Sequence, residues 1–303
     1  MPHKHPTQAD AQSRPQPWSI AANLGLSVFQ FVAGLLSGSA ALLADALHNT
    51  NHAASLVVAS ISKRISRKRP NAKYTFSYRR AELIGALIQL TALVIIGLFL
   101  VSHAIERFAN PVPVASSWVV FGASIALLVD LTTVGLLWAT TKSSLNLKAA
   151  LQPKLADAAP TLAVLFGGAL MLLSGWTWID PLLTLAIAAF IILSSLKRLA
   201  QTSRTLMEAT PEDIDLTQVK EQAESITGVN DLHHLHVWEL DESHRALEAH
   251  VVIYDDITHR QRDIKRQLKG LFAERFSITH STLEFERASE ASRRKETRLV
   301  ASH

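Results

Sequence analysis

His48 and His52 stand four residues apart, and Asp45 precedes the first of them by three. On a helix this spacing puts all three side chains on one face, where two imidazoles can grip the same metal ion. Two more acids, Asp130 and Asp157, interrupt later apolar stretches. Ionisable groups at membrane depth are costly, and they mark ion paths or ligand sites. Imidazole with carboxylate suits Zn²⁺, Co²⁺, Fe²⁺ and similar ions better than Ca²⁺ or Mg²⁺. The chain has no cysteine, so disulfides and thiolate sites are excluded, and a copper(I) site with them. His48, His52 and Asp157 supply three ligands where a closed structural zinc site has four, leaving the open position that a carrier needs for release. Asp130 and Asp45 are further candidates. Ligands lose protons on binding metal, and histidine, with a reference pKa of about 6.5, can make that exchange near cytoplasmic pH. This is the minimal chemistry of metal–proton antiport. A zinc hydrolase of the H-E-x-x-H kind would need a glutamate base where Asn49 stands, so no enzyme is expected.

The elements that carry these residues read as membrane helices. Of the 303 residues, 48% are apolar and 18% charged. Residues 15–44, 83–102 and 158–179 carry no charge. Each run suffices for the roughly 20 residues of helix that cross a bilayer core. Six spans are expected, at about 16–37, 40–62, 82–106, 115–141, 149–174 and 179–201. Helix rise then places His48, His52 and Asp157, with Asp130 as a further candidate, in the middle third of the membrane. The connection after the second span holds Lys63, Arg64, Arg67, Lys68, Arg69, Lys73, Arg79 and Arg80. Lys142 and Lys148 follow the fourth, and Lys197, Arg198 and Arg204 fall near the end of the sixth. The positive-inside rule puts these connections and both termini in the cytoplasm. Trp118, Trp176 and Trp178 fall at the opposite ends, where such rings favour the interface. This also accounts for the net charge of +4, so no nucleic-acid partner is expected.

The pattern changes after residue 209. Pro211-Glu212-Asp213 reads as a helix start. Leu232–Leu240 and Ala246–Ile253 read as strands, 258–276 as an amphipathic helix, and Ile278–Phe285 as a third strand. The order αββαβ makes a small α+β domain over residues 209–287. Residues 1–15 and the basic 288–303 read as disordered tails around a membrane part at 16–205. His233, His234, His236, His250 and His280 all fall on the strands. Strand alternation pairs His234 with His236 on one face and turns His233 to the other.

Four segments together resemble one family: Leu42 to His48, Tyr74 to Glu82, His233 to Trp238, and His280 to Glu286. They are similar, in order and across residues 18–287, to the motifs of the cation diffusion facilitators, and most of all to its bacterial zinc exporters. The resemblance implies a homodimeric zinc–proton antiporter in the inner membrane, with six helices and a cytoplasmic ferredoxin-like domain. It implies ion ligands at His48 and His52 on the second helix and at Asp157 on the fifth. It also implies metal binding in the cytoplasmic domain, best matched by His233, His250 and His280. Arg80 and Glu208 fall where relatives carry charges that tie the membrane part to the dimer. The chain departs from the pattern in two places. His52 replaces an acid, and Pro153 stands where a fifth-helix ligand is expected. Asp130 or Gln152 would have to replace that ligand. The departure leaves two rival readings open. One is a transport-impaired relative serving as an accessory or metal-sensing subunit. The other is a transporter of cobalt, nickel, iron or manganese.

Overall fold

The computed structural model describes residues 17–140, 144–241, 244–291 and 299–300. The expected tail at 1–15 lies outside them. The chain divides into two compact units, one of residues 1–61 with 88–199 and the other of 62–87 with 200–303.

Six long helices come first: α1 (Pro17–Ser37), α2 (Ala40–Ser66), α3 (Ala81–Ala109), α4 (Ser116–Thr140), α5 (Ser144–Ser174) and α6 (Ile179–Leu206). All six coincide with an expected span, and most overrun it by a few residues. Ala81–Ala109 and Ile179–Leu206 are long and apolar enough to cross a membrane. In the first unit α4 packs along α5 and α1 along α4. Small side chains recur in its core, where Ala33, Ala41, Ala44, Ala123 and Ala188 meet Leu42, Leu100, Val119 and Met171. Buried with them are polar groups: Ser27, Gln30, Asp45, His48, Asn51, Thr161, Asp180 and Thr184. The outer surface carries Phe31, Leu35, Ile95, Leu98, Phe99, Phe166, Leu173 and Leu193, all exposed. Polar residues inside and large apolar ones outside suit a hydrocarbon solvent, where small residues let helices approach closely.

The second unit holds α7 (Leu216–Glu224), β1 (Val229–Asp241), β2 (His244–Ile253), a 3₁₀ segment (Asp255–Arg260), α8 (Gln261–Phe276), β3 (Ile278–Arg287) and α9 (Ala288–Ala291). The expected αββαβ order is present. The sheet runs β1-β2-β3, with β1 antiparallel to β2 and β2 parallel to β3. Leu247, Ala249, Val251 and Ile253 alternate along β2 into one core with Leu232, Leu235 and Val237 of β1. Ile264, Leu268 and Phe272, spaced by four on α8, and Val219 and Ala223 of α7 cover that face. The other face of β2 carries His250 beside the buried Ala246 and Val252.

Two expectations are corrected in this unit. The helix placed at Pro211 begins at Leu216, where the Asp215 side chain caps it by accepting from Thr217 N at 2.8 Å. Asp213 instead pairs with Arg245 at 2.8 Å. The tail at 288–303 is not wholly unstructured, because α9 opens it and Leu299 packs on the core while its carbonyl accepts from Leu235 N at 2.7 Å.

Candidate metal sites

The α2 site begins with a run of good helix formers, Ala40 to Leu47, that carries Asp45 and His48 on one face. Asp45 is fully buried and His48 nearly so. Gln30 Nε2 on α1 donates to Asp45 Oδ2 at 2.6 Å, and Gln30 Oε1 accepts from Asn49 Nδ2 at 2.8 Å. Thr161 Oγ1 on α5 reaches both Asp45 oxygens, at 3.2 and 3.1 Å, and lies 3.5 Å from Asp130 Oδ2 on α4. The Thr161 hydroxyl therefore lies between two carboxylates from different helices, nearer Asp45 than Asp130. The backbones at His52, Pro153 and Asp157 are helical, and α5 runs unbroken through Pro153. The side chains of His52, Gln152, Pro153 and Asp157 lie outside the described residues.

Asp180, absent from the sequence-derived candidates, is 1% exposed. From the start of α6 it accepts hydrogen bonds from Ser39 Oγ, from Ala40 N at 2.8 Å and from Ala41 N at 3.3 Å. Ser39 Oγ in turn accepts from Leu42 N at 3.1 Å. Three of the first backbone donors of α2 are thus satisfied by side chains. The preceding turn is also held. Arg107 Nη1 donates to Gly38 O at 3.0 Å and Ala115 N to Ser37 O at 2.8 Å. Gly38 has φ +69° with Pro113 O 3.1 Å from where a Cβ would sit, so only glycine fits there without strain.

The second site lies on the open face of the sheet. His233, His250 and Glu286 place one ligand atom each within 4.8 Å of one another. His233 and His250 are cross-strand partners. Glu286 Oε1 is 2.8 Å from His250 Nδ1, and its Oε2 is 3.8 Å from His233 Nε2. His250 Nε2 faces Glu284 Oε2 at 3.6 Å. His233 Nδ1 lies 3.3 Å from Asp231 Oδ2. Burial pushes the Asp231 carboxyl up, but hydrogen bonding and the charge of Lys220 prevail and hold it below the ordinary carboxylate value. It is thus an anion well placed to orient the imidazole.

Two placements here differ from the sequence expectation. His280 is not part of this cluster; it is exposed, pairs in register with Ala246 and packs its ring 5.8 Å from Phe76. It lies six residues before Glu286 on β3, about 20 Å along a strand. Strict alternation also fails. The register shifts between His233 and His236, and His234 takes φ +51°. This bulge re-aims the strand. The His234 ring stacks on His250 at 4.7 Å and meets His236 at 5.0 Å, so His234 and His236 border the cluster that holds His233. Arg80 and Glu208 do meet, Nη2 to Oε1 at 2.5 Å.

An apolar exterior over buried carboxylates and a buried imidazole is the pattern of a membrane bundle with a polar interior. The model of the cation efflux transmembrane domain matches residues 18–207, and that of the cation efflux protein cytoplasmic domain matches 211–288. The chain belongs to this family, the cation diffusion facilitators, and is a transporter rather than an enzyme. A "cadmium, cobalt and zinc/H(+)-K(+) antiporter" of Bacillus subtilis (strain 168) is 32% identical over 265 residues, 86% of this chain and 85% of its own. The "zinc transporter ZitB" of Escherichia coli (strain K12) is 28% identical, over 91% of this chain and 88% of its own. The solved metal-bound C-terminal domain of the CzcD transporter from Cupriavidus metallidurans is 36% identical. It covers 24% of this chain and 99% of that one, with a TM-score of 0.23.

Proposed function

We propose that this chain exports a divalent cation, zinc foremost, by exchange for protons. It acts as a homodimer in the inner membrane, with six spans, cytoplasmic termini and a ferredoxin-like cytoplasmic domain. The observation that carries the proposal is the Asp45–Thr161–Asp130 junction one turn from the buried His48, which gathers α2, α4 and α5 at one polar point. His48, His52 and Asp157 bind the ion. Asp130 stands in for the ligand missing at Pro153. Asp45, already bonded to Gln30 and Thr161, orients the site. Protons take the ligands' place as the metal leaves. The names of the relatives support metal and proton exchange. In the cytoplasmic domain His233, His250 and Glu286 would hold a zinc ion that senses metal and steadies the dimer.

The test is flux in vesicles with a pH gradient, following zinc, cobalt, iron and manganese. Zinc flux that disappears in Asp157→Ala and falls in Asp130→Asn supports the reading. Unchanged metal affinity and transport in Asp130→Asn overturns its part. A silent parent chain that gains flux with Pro153→His makes the protein an impaired partner subunit instead. Flux of another metal in preference to zinc reassigns the substrate.

A further inference from the structure

We propose that Asp180 is a positioning residue for transport, setting the depth and rotation of Asp45 and His48 through the first turn of α2. The inference rests on the transport reading above. Asp180 lies on α6; among the described residues its carboxylate hydrogen-bonds to Ser39 and the first turn of α2, with the charge of Arg107 nearby, and not to Asp45 or His48. A negative charge there complements both the unsatisfied N–H groups and the positive end of the helix dipole. Asp180 is 1% exposed, so in the folded chain its carboxylate rather than bulk water meets these donors. Asp45 follows Ala40 by five residues and His48 by eight, which is about 8 and 12 Å along the same helix. A rotation or slide at Ala40 therefore reaches both with little loss.

The rest of the turn argues that this end of α2 is a fixed point. Arg107 at the end of α3 holds Gly38, and Ala115 ahead of α4 holds Ser37. α6 itself is closely seated on α3, where a Cβ on Gly97 would lie 2.5 Å from Ile192 Cγ1. The ion-binding helix is thus pinned at one end to a frame of α3, α4 and α6, and any movement that opens the site must pivot there or break these bonds.

The test uses the full chain in lipid nanodiscs with His233→Ala and His250→Ala in every sample, so that zinc reports the membrane site. Hydrogen exchange over residues 40–50 and zinc titration are measured for the parent, Asp180→Asn, Ser39→Ala and the double variant. Asp180→Asn should speed exchange through His48 and weaken zinc binding by up to about 10-fold, below the range for groups bonded directly to a metal ligand. Ser39→Ala should act in the same direction by less, and the double variant should fall short of the summed effects because the two share one network. Unchanged exchange overturns the proposal. So does faster exchange with unchanged zinc affinity, which leaves Asp180 a fold staple only. If Asp180→Asn does not fold, Ser39→Ala carries both measurements, with the same two refuting results. A parent that binds no zinc sinks the transport reading itself, an outcome distinct from a binding parent beside an unchanged variant.

Discussion

The cytoplasmic cluster allows a worked prediction. His233, His250 and Glu286 converge within 4.8 Å, and two of them are fixed by one rung of the β1–β2 ladder. A ligand that binds only the folded state at about 100 times its Kd stabilises by about 2.7 kcal/mol. For a fragment of residues 209–303, a shift of roughly 4–8 °C per kcal/mol is expected for this size, so saturating zinc should raise Tm by about 11–22 °C. His250→Ala removes one of three ligands and the partner of Glu286 Oε1. If affinity drops about 100-fold, the same zinc concentration equals the new Kd, and the stabilisation shrinks to about 0.4 kcal/mol, or some 2–3 °C. Differential scanning fluorimetry with and without zinc measures both shifts, with His280→Ala as the control that keeps the full effect. Equal zinc shifts in the parent and His250→Ala, or loss of the shift in His280→Ala, would refute the assignment. Acidification should weaken the effect, because the imidazoles must be neutral to bind metal.

Three further outcomes follow from packing and charge. Phe272→Ala empties a fully buried site in the sheet–helix core, and urea denaturation of the same fragment should show a loss of about 3–5 kcal/mol. Gly167→Ala sets a methyl 2.0 Å from Leu183 Cδ1 between α5 and α6; it should destabilise the folded chain in detergent by about 1–3 kcal/mol, read from its melting. The Lys220–Asp231 pair gives a pH signature. The carboxyl is held below its ordinary 3.8, so its contribution is present above that pH and fades as pH falls further. Lys220, which loses some charge stability to burial but gains more from Asp231 and Glu224, is raised above 10.5, so its contribution persists below that pH and fades as pH rises past it. Parent and Asp231→Asn should therefore converge in stability at the acid end; a gap that persists there would contradict the pairing.

The helices were legible because charge-free runs and basic connections are written locally along the chain. The site was legible only where both partners lie on one helix, as with Asp45 and His48. Gln30 was one of three amides in a charge-free run, Thr161 an ordinary threonine one turn after Asp157, and Asp180 a residue at an expected loop. Their roles come from contacts such as Asp45 with Thr161, 116 positions apart, and Ser39 with Asp180, 141 apart. In the small domain, strand order and bulges decided the ligands. No glycine flags the left-handed turn at His234. The parallel pairing of β3 brings Glu286, not His280, to the histidines. The helix start was misjudged because proline and acids at 211–213 copy a cap that Asp215 supplies.

The hydrogen bond from Leu235 N to the Leu299 carbonyl has a consequence for the sheet's rim. In the order β1-β2-β3, β1 is an edge strand, and an uncovered edge is a template on which another chain can add a strand. Leu299 occupies a donor on that rim and lays its side chain on the core. Leu299 thus closes one position of that rim to an added strand. A chain shortened to residue 291 would keep every candidate ligand named above and still be more prone to self-association, a liability visible only when the rim is counted.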